Sequence, residues 1–177
     1  MIKIGTLVLA AMLFALPAAA QDQVVDNDPW AMVRGLEGNW EGVGKGFGQT
    51  SHLTHKWQFV LDGNFLRLET RSVDIKATDE SEAHEDVGYV SWSESEGILR
   101  FRQFLSEGFV NTFRLESVTS PQAGLNFEPE GTEGTETMSV RMTIRFQDAE
   151  SYEMILELGT KGEELKPCQT MRLRKMR

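Results

Sequence analysis

The 177-residue sequence is acidic, with 27 acidic against 18 basic side chains and a formal net charge of −9 at pH 7. Such a surface repels phosphate backbones and anionic lipid heads, so nucleic acid is not an expected partner. The single cysteine, Cys168, excludes an intramolecular disulfide. The fold must therefore depend on a hydrophobic core, which one domain of this length can build.

The first twenty residues have the pattern of a secretory signal peptide. Lys3 supplies the positive charge, an apolar run covers 4–16, and Pro17 with the alanines after it provides a small-residue cleavage site. An uncleaved membrane anchor is the alternative, but the run is shorter than the roughly 20 apolar residues that span a bilayer. We therefore expect a mature protein that begins near Gln21, is not membrane-embedded, and is periplasmic or secreted.

Residues 21–35 are predicted to form a flexible N-terminal segment that ends in a short helical turn. The stretch 21–28 is mostly polar. Asp28 is a suitable N-cap for the turn, and Pro29 is suited to the first helical position because its ring fixes φ near the helical value.

Two segments alternate between apolar and polar positions, as half-buried antiparallel strands do. On the apolar face of 51–61 lie Leu53, His55, Trp57, Phe59 and Leu61. On the apolar face of 138–146 lie Met138, Val140, Met142, Ile144 and Phe146. Neither segment has the spacing of three or four residues that an amphipathic helix requires.

Eight further strands are predicted at 38–45, 64–75, 83–93, 98–106, 109–117, 124–128, 152–158 and 168–176. Pairs such as Asp62-Gly63 separate them, and these residue types tolerate the positive φ of hairpin turns. The acidic stretches 77–86 and 128–136 are expected to be solvated loops. The fold class is therefore all-β: a single antiparallel up-and-down β-barrel of about ten strands over 36–177, preceded by the helical turn.

The segment from Leu36 to Gly44 resembles the opening strand of calycin-like barrels, the group that includes lipocalins, fatty-acid-binding proteins and nitrobindins. Gly38 and Trp40 form the Gly-x-Trp motif, and Gly42 and Gly44 follow it. The sequence also resembles a group of bacterial secreted domains of unknown function. This resemblance implies a barrel in which Trp40 closes one end, and it implies a small-molecule ligand inside.

The predicted binding residues are those of the apolar faces, together with one arginine. They are His55, Trp57, Phe59, Arg102, Met142 and Ile144. His52 and His55 are three positions apart on a strand and point to opposite faces, so they are not predicted to share a metal. Arginines on strands either grip an anionic head group or form ion pairs on the surface, and for Arg102 we expect partial burial. By parity, Cys168 is predicted on the solvent side.

The first functional hypothesis is an exported protein that binds a small apolar or amphipathic molecule inside the barrel. The alternative is an isomerase or hydrolase acting on a lipid-like substrate, with His55 beside a buried carboxylate such as Glu69 or Glu85. Known catalytic motifs are absent from the sequence, so no catalytic residue and no metal ligand is predicted.

Two other barrels remain as alternatives. Nitrobindin-like proteins hold haem through a histidine near the C-terminal strands, but residues 163–177 contain none, so a haem cofactor would depend on His55. An outer-membrane barrel would also have alternating strands, but this chain ends in Arg177 rather than an aromatic residue and lacks evident aromatic girdles.

Overall fold

The computed structural model describes residues 28–79, 83–116, 124–135 and 137–177. They form one short 3₁₀ turn, Arg34–Leu36, and ten strands. The strands are β1 (Gly38–Gly46), β2 (Gln49–Val60), β3 (Phe65–Asp74), β4 (His84–Ser93), β5 (Ile98–Leu105), β6 (Val110–Leu115), β7 (Leu125–Glu133), β8 (Met138–Asp148), β9 (Ser151–Thr160) and β10 (Lys166–Lys175). The predicted signal peptide lies outside the described residues.

Each strand pairs antiparallel with the next one in sequence, and β1 pairs with β10 to close the barrel. The predicted all-β, up-and-down barrel is therefore confirmed. The tight β2–β3 turn uses positive φ at Asp62 and Gly63, as these residue types predicted. Because neighbouring residues alternate across the sheet, one face of every strand points into the barrel.

The N-terminal turn and Trp40 cover one end of the barrel. Asp28 begins the tight turns that precede the 3₁₀ turn, and its carboxylate accepts from the backbone N–H of Trp30 at 3.0 Å; the N-cap of the 3₁₀ turn itself is Val33. The ring of Trp40 is fully buried, and its indole N–H donates to the carbonyl oxygen of Leu36 at 2.7 Å. This bond ties the first strand to the preceding turn, so Trp40 has the position that the Gly-x-Trp motif implies.

Aromatic rings fill the half of the barrel next to this closed end. Phe101 contacts Trp57, Phe113 and Phe127, with ring centroids 5.8–5.9 Å apart. Each of the four rings is at most 1% exposed. Large buried rings in mutual contact leave little free space in this half of the barrel.

The closure between β1 and β10 depends on a glycine. A Cβ atom at Gly42 would overlap the backbone carbonyl oxygen of Arg172. Glycine therefore allows the two strands to approach closely enough to complete the sheet.

Ion pairs cover the outer face. Arg141 bonds Glu128 at 2.7 Å and approaches Glu157 at 3.4 Å, and Arg100 pairs with Glu96 and Glu130. The expected loop at 128–136 is wrong in its first part, because 128–133 continues β7 and pairs with β6. On the outer face, Glu128 meets Arg141 of the neighbouring β8, whereas Glu130 and Glu133 reach Arg100 and Arg102 of β5, beyond β6.

No helix among the described residues has the length and apolar character needed to cross a membrane.

Candidate functional site

A cavity of about 430 Å³ occupies the half of the barrel away from the N-terminal turn. Its size lies within the range of small-molecule pockets, roughly 300–1,000 Å³. The lining side chains come from nearly every strand: Phe47, Leu53, His55, Leu68, Thr70, Ser72, His84, Asp86, Gln103, Leu105, Glu107, Phe109, Asn111, Met138, Val140, Met142, Met154, Leu156, Leu158, Cys168, Gln169 and Met171. The cavity mouth is at the end of the barrel that carries the β1–β2 and β5–β6 turns, from which Phe47 and Phe109 line it.

The walls of the cavity are largely aliphatic. Four methionines contribute to them: Met138, Met142, Met154 and Met171. Methionine is unbranched and adapts its shape, so such walls can follow ligands of different outline. At the mouth, the side chain of Phe47 is 67% exposed, which extends the apolar lining to the surface.

The floor of the cavity carries a buried hydrogen-bonded triplet. The Nδ1 atom of His55 lies 2.8 Å from the hydroxyl oxygen of Tyr152. The indole N–H of Trp57 donates to the same oxygen at 3.3 Å. Burial lowers the pKa of His55 to about 4, so the ring is neutral at physiological pH. Within the described part of the chain, the other ring nitrogen, Nε2, has no hydrogen-bond partner.

A second polar group lies near the mouth. The Nε2 atom of His84 is 2.9 Å from Asp86, and its Nδ1 atom is 2.7 Å from Glu107. The bond to Asp86 is the main reason that the pKa of His84 rises to about 9, with Glu107 adding to it. Asp86 is 7% exposed and also accepts from the Gln103 amide at 3.0 Å. The protonated imidazole therefore bridges β4 and the β5–β6 turn.

These three residues also have the donor types of a metal site. One ligand atom from each of His84, Asp86 and Glu107 lies within 4.8 Å of the others. However, both nitrogens of the imidazole already face carboxylates, and its raised pKa favours a proton where a metal would need a lone pair. The cluster is therefore best described as an ion-pair bridge.

The predicted binding residues fall into three places. His55 and Met142 line the cavity. Trp57, Phe59 and Ile144 lie in the closed half, where Phe59 packs edge-on against Trp30. The expected partial burial of Arg102 is wrong: it lies on the outer face, where its side chain is 48% exposed and pairs with Glu133 at 2.7 Å.

Three other residues near the cavity were missed or misplaced. Asp86 and His84 share the inward face of β4 with the buried Val90, and this parity was the available signal for them. Cys168 lines the cavity instead of facing solvent, because a register shift between Pro167 and Gln169 breaks the alternation of β10.

The two carboxylates considered for an enzyme are elsewhere. Glu69 pairs with Arg67 at 2.5 Å, and Glu85 lies 3.5 Å from Arg71, all with partly exposed side chains. His55, Glu69 and Glu85 all border an open depression of the surface, but neither glutamate lines the interior cavity.

The residues of the cavity do not fit haem. A haem iron needs an unprotonated imidazole nitrogen, whereas the bond between Tyr152 and the Nδ1 atom of His55 favours a hydrogen on Nε2. Haem also carries two propionates, and neither arginine nor lysine occurs among the described residues of the cavity to pair with them. We therefore derive no haem chemistry for this chain.

Comparison with known proteins supports the fold. No family model matches the sequence, and no curated protein matches it. The crystal structure of Rv2717c from M. tuberculosis is similar over 85% of this chain and 98% of that one, with a TM-score of 0.63 and 14% identity. Weaker likenesses are EF1p2_mFAP2b bound to DFHBI (80% of this chain, 94% of that one, 10% identity, TM-score 0.44) and the S-type phycobiliprotein lyase CPES from Guillardia theta (81%, 89%, 8% identity, TM-score 0.48).

The chain therefore has a calycin-like fold, a closed antiparallel β-barrel with an internal cavity at one end. The fold that the Gly-x-Trp motif implied is confirmed. At this level of identity the likeness concerns the fold alone.

Proposed function

We propose that the protein is an exported carrier that binds one small apolar or amphipathic molecule inside the barrel. The observation that carries this proposal is the cavity of about 430 Å³, which has aliphatic walls and an unpartnered polar nitrogen on its floor. An empty pocket of this kind would leave the His55 Nε2 atom without a hydrogen bond, at a cost of roughly 1–3 kcal/mol. A ligand acceptor can remove that cost while its apolar part is buried against the walls.

Binding should be measurable with Nile red, an uncharged dye whose emission rises in apolar surroundings. We expect saturable binding at one site per chain. The Leu156→Trp variant, which fills the cavity, should abolish the fluorescence rise, because Leu156 lines the cavity. Its matched control is Ile155→Trp, the neighbouring residue on the outer face, which should bind the dye normally. Equal binding by the two variants would contradict the proposal.

The apolar lining of the cavity suggests how a ligand enters. Phe47 and Phe109 lie on the turns at the mouth, and both line the cavity. A ligand can therefore slide from the surface into the interior along apolar atoms. Ion pairs such as Arg172 with Glu153, at 3.0 Å, cover the outside and favour a water-facing carrier.

Export is proposed from residues 1–20 and can be tested separately. Expressed with its own N-terminus in a Gram-negative host, the chain should accumulate in the periplasm, and its intact mass should correspond to a start near Gln21. A chain without residues 1–20 should stay in the cytoplasm. Recovery of the uncleaved full-length chain from the membrane fraction would contradict export as a soluble carrier.

A further inference from the structure

The histidines and carboxylates that line the cavity lie at two depths. His55, which is 2% exposed, lies at the floor, and Asp86 with its partners His84 and Glu107 lies near the mouth. These groups differ in charge and in hydrogen-bonding capacity. Both properties limit the chemistry of the molecule that can bind.

The floor offers a hydrogen-bond donor. Trp57 can only donate to Tyr152, and the tyrosine hydroxyl has one hydrogen, for which His55 Nδ1 is the near acceptor. Tyr152 keeps that hydrogen, because burial raises the pKa of its hydroxyl. A neutral imidazole that accepts at Nδ1 carries its hydrogen at Nε2. His55 lines the cavity, and its Nε2 atom is buried without a partner in the described part of the chain.

The mouth offers negative charge. Asp86 and Glu107 contribute two carboxylates, and the His84 imidazolium compensates for one of them. Neither arginine nor lysine occurs among the described residues that line the cavity. Arginines of the neighbouring strands, such as Arg102, lie on the outer face in pairs with glutamates. A ligand carboxylate would therefore lose its hydration without gaining a cation as partner, which is costly.

We infer that the cavity selects amphiphiles without negative charge: the deep end carries a hydrogen-bond acceptor such as a carbonyl oxygen, and the mouth end is neutral or cationic. This inference rests on the proposed function and names its ligand class. An acceptor at the floor completes the bonding of His55. A cation at the mouth is attracted by Asp86 and Glu107, whereas an anion is repelled by them.

The test is displacement of Nile red at pH 7.4 by three twelve-carbon probes, each below its micelle concentration. The probes are 2-dodecanone, dodecylammonium and dodecanoate, which differ in the charge and bonding of the head. We expect the ketone and the ammonium to bind at least about tenfold more tightly than dodecanoate, a difference of about 1.4 kcal/mol. Dodecanoate binding as tightly as both of the others would overturn the inference while leaving the carrier function intact. Absence of Nile red binding would overturn both.

Variants test the floor and the mouth of the cavity separately. His55→Leu should weaken the ketone about tenfold and leave the ammonium unchanged, as expected for the loss of one buried hydrogen bond. The control is His52→Leu, an exposed residue on the outward face of the same strand, which should change neither. An unchanged ketone affinity in His55→Leu would overturn the assignment of the floor. If that variant does not fold, His55→Gln can replace it, because glutamine keeps an N–H donor. This variant should still bind the ketone more tightly than dodecanoate, and loss of that preference would count against the inference.

The charge of the mouth is tested by Asp86→Asn. This variant should bind dodecylammonium more weakly and dodecanoate more tightly, so that the difference in affinity between the two probes becomes smaller. Glu85→Gln removes the same charge from the next residue, which faces outward and is exposed, and it should leave the difference unchanged. Equal effects of the two variants would show that net charge, and not the cavity mouth, determines the selection, and would overturn the inference.

Discussion

The hydroxyl of Tyr152 on β9 lies 2.8 Å from the Nδ1 atom of His55 on β2, across the interior of the barrel. The two residues are 97 positions apart in sequence, and both are buried. The contact separates the aromatic closed half from the cavity. It fixes the orientation of the imidazole and decides which ring nitrogen is available to a ligand.

Replacing Tyr152 by phenylalanine should destabilise the barrel. The change leaves the indole N–H of Trp57 and the Nδ1 atom of His55 without their shared partner, and unpaired buried groups cost about 1–3 kcal/mol. Urea denaturation should show this loss in the free energy of unfolding. Tyr89→Phe, at the other tyrosine of the chain and on the outer face, is the matched control and should change it by less than about 0.5 kcal/mol. Equal stability of the two variants would argue against the triplet.

Acid should weaken the fold through His55. Its pKa is about 4 in the folded protein and near 6.5 when exposed, so between these values the unfolded chain binds the proton more readily. Stability is therefore lost as the pH falls from about 6.5 towards 4, by on the order of 3 kcal/mol, since one pKa unit corresponds to about 1.4 kcal/mol. Urea denaturation at pH 7 and 4.5 measures the loss. His55→Gln should lose less stability than the wild type over this range, and an equal loss would refute the assignment.

The alternation of apolar and polar residues along the sequence predicted most of the fold and part of the site. It placed His55 and Met142 inward, and both line the cavity. In the structure, Arg102 lies on the face opposite the buried Phe101. The expectation of a partly buried arginine came from the general behaviour of barrels, whereas outer-face ion pairing with Glu133 determines its position.

The remaining errors have local physical causes. A β-bulge near Cys168 shifts the parity of β10, and no residue type in the sequence signals it. The cavity itself depends on where volume is distributed along the barrel. Rings such as Phe101 and Phe113 crowd one half, and slimmer side chains such as Leu53 line the other. That division depends on strand register and stagger, which a linear pattern does not contain.

Gly42→Ala should impair closure of the barrel. The added methyl group would overlap the backbone of Arg172, which cannot move without breaking the β1–β10 ladder. We expect a loss of at least about 1–3 kcal/mol in the free energy of unfolding, as for other overpacked sites. Gly131→Ala is the control, because a Cβ there meets no atom within 4 Å and the backbone does not have positive φ. A wild-type melting temperature for Gly42→Ala would contradict the close approach of the strands.

Alkaline pH should loosen the cavity mouth through His84. Its pKa is about 9 when folded and near 6.5 when exposed, so the bridge to Asp86 and Glu107 contributes fully below about pH 6.5. That contribution is lost as the pH rises through 9, because the imidazole loses the charge that attracts both carboxylates. Hydrogen exchange of the β5–β6 turn, corrected for the intrinsic rate, should therefore accelerate from pH 7 to 9.5 in the wild type. In His84→Gln, exchange of this turn should already be fast at pH 7 and should increase little at higher pH. The control variant His52→Gln should show the same pH dependence as the wild type. If the corrected exchange rate of the turn in the wild type did not change with pH, the ion-pair bridge would not stabilise the mouth.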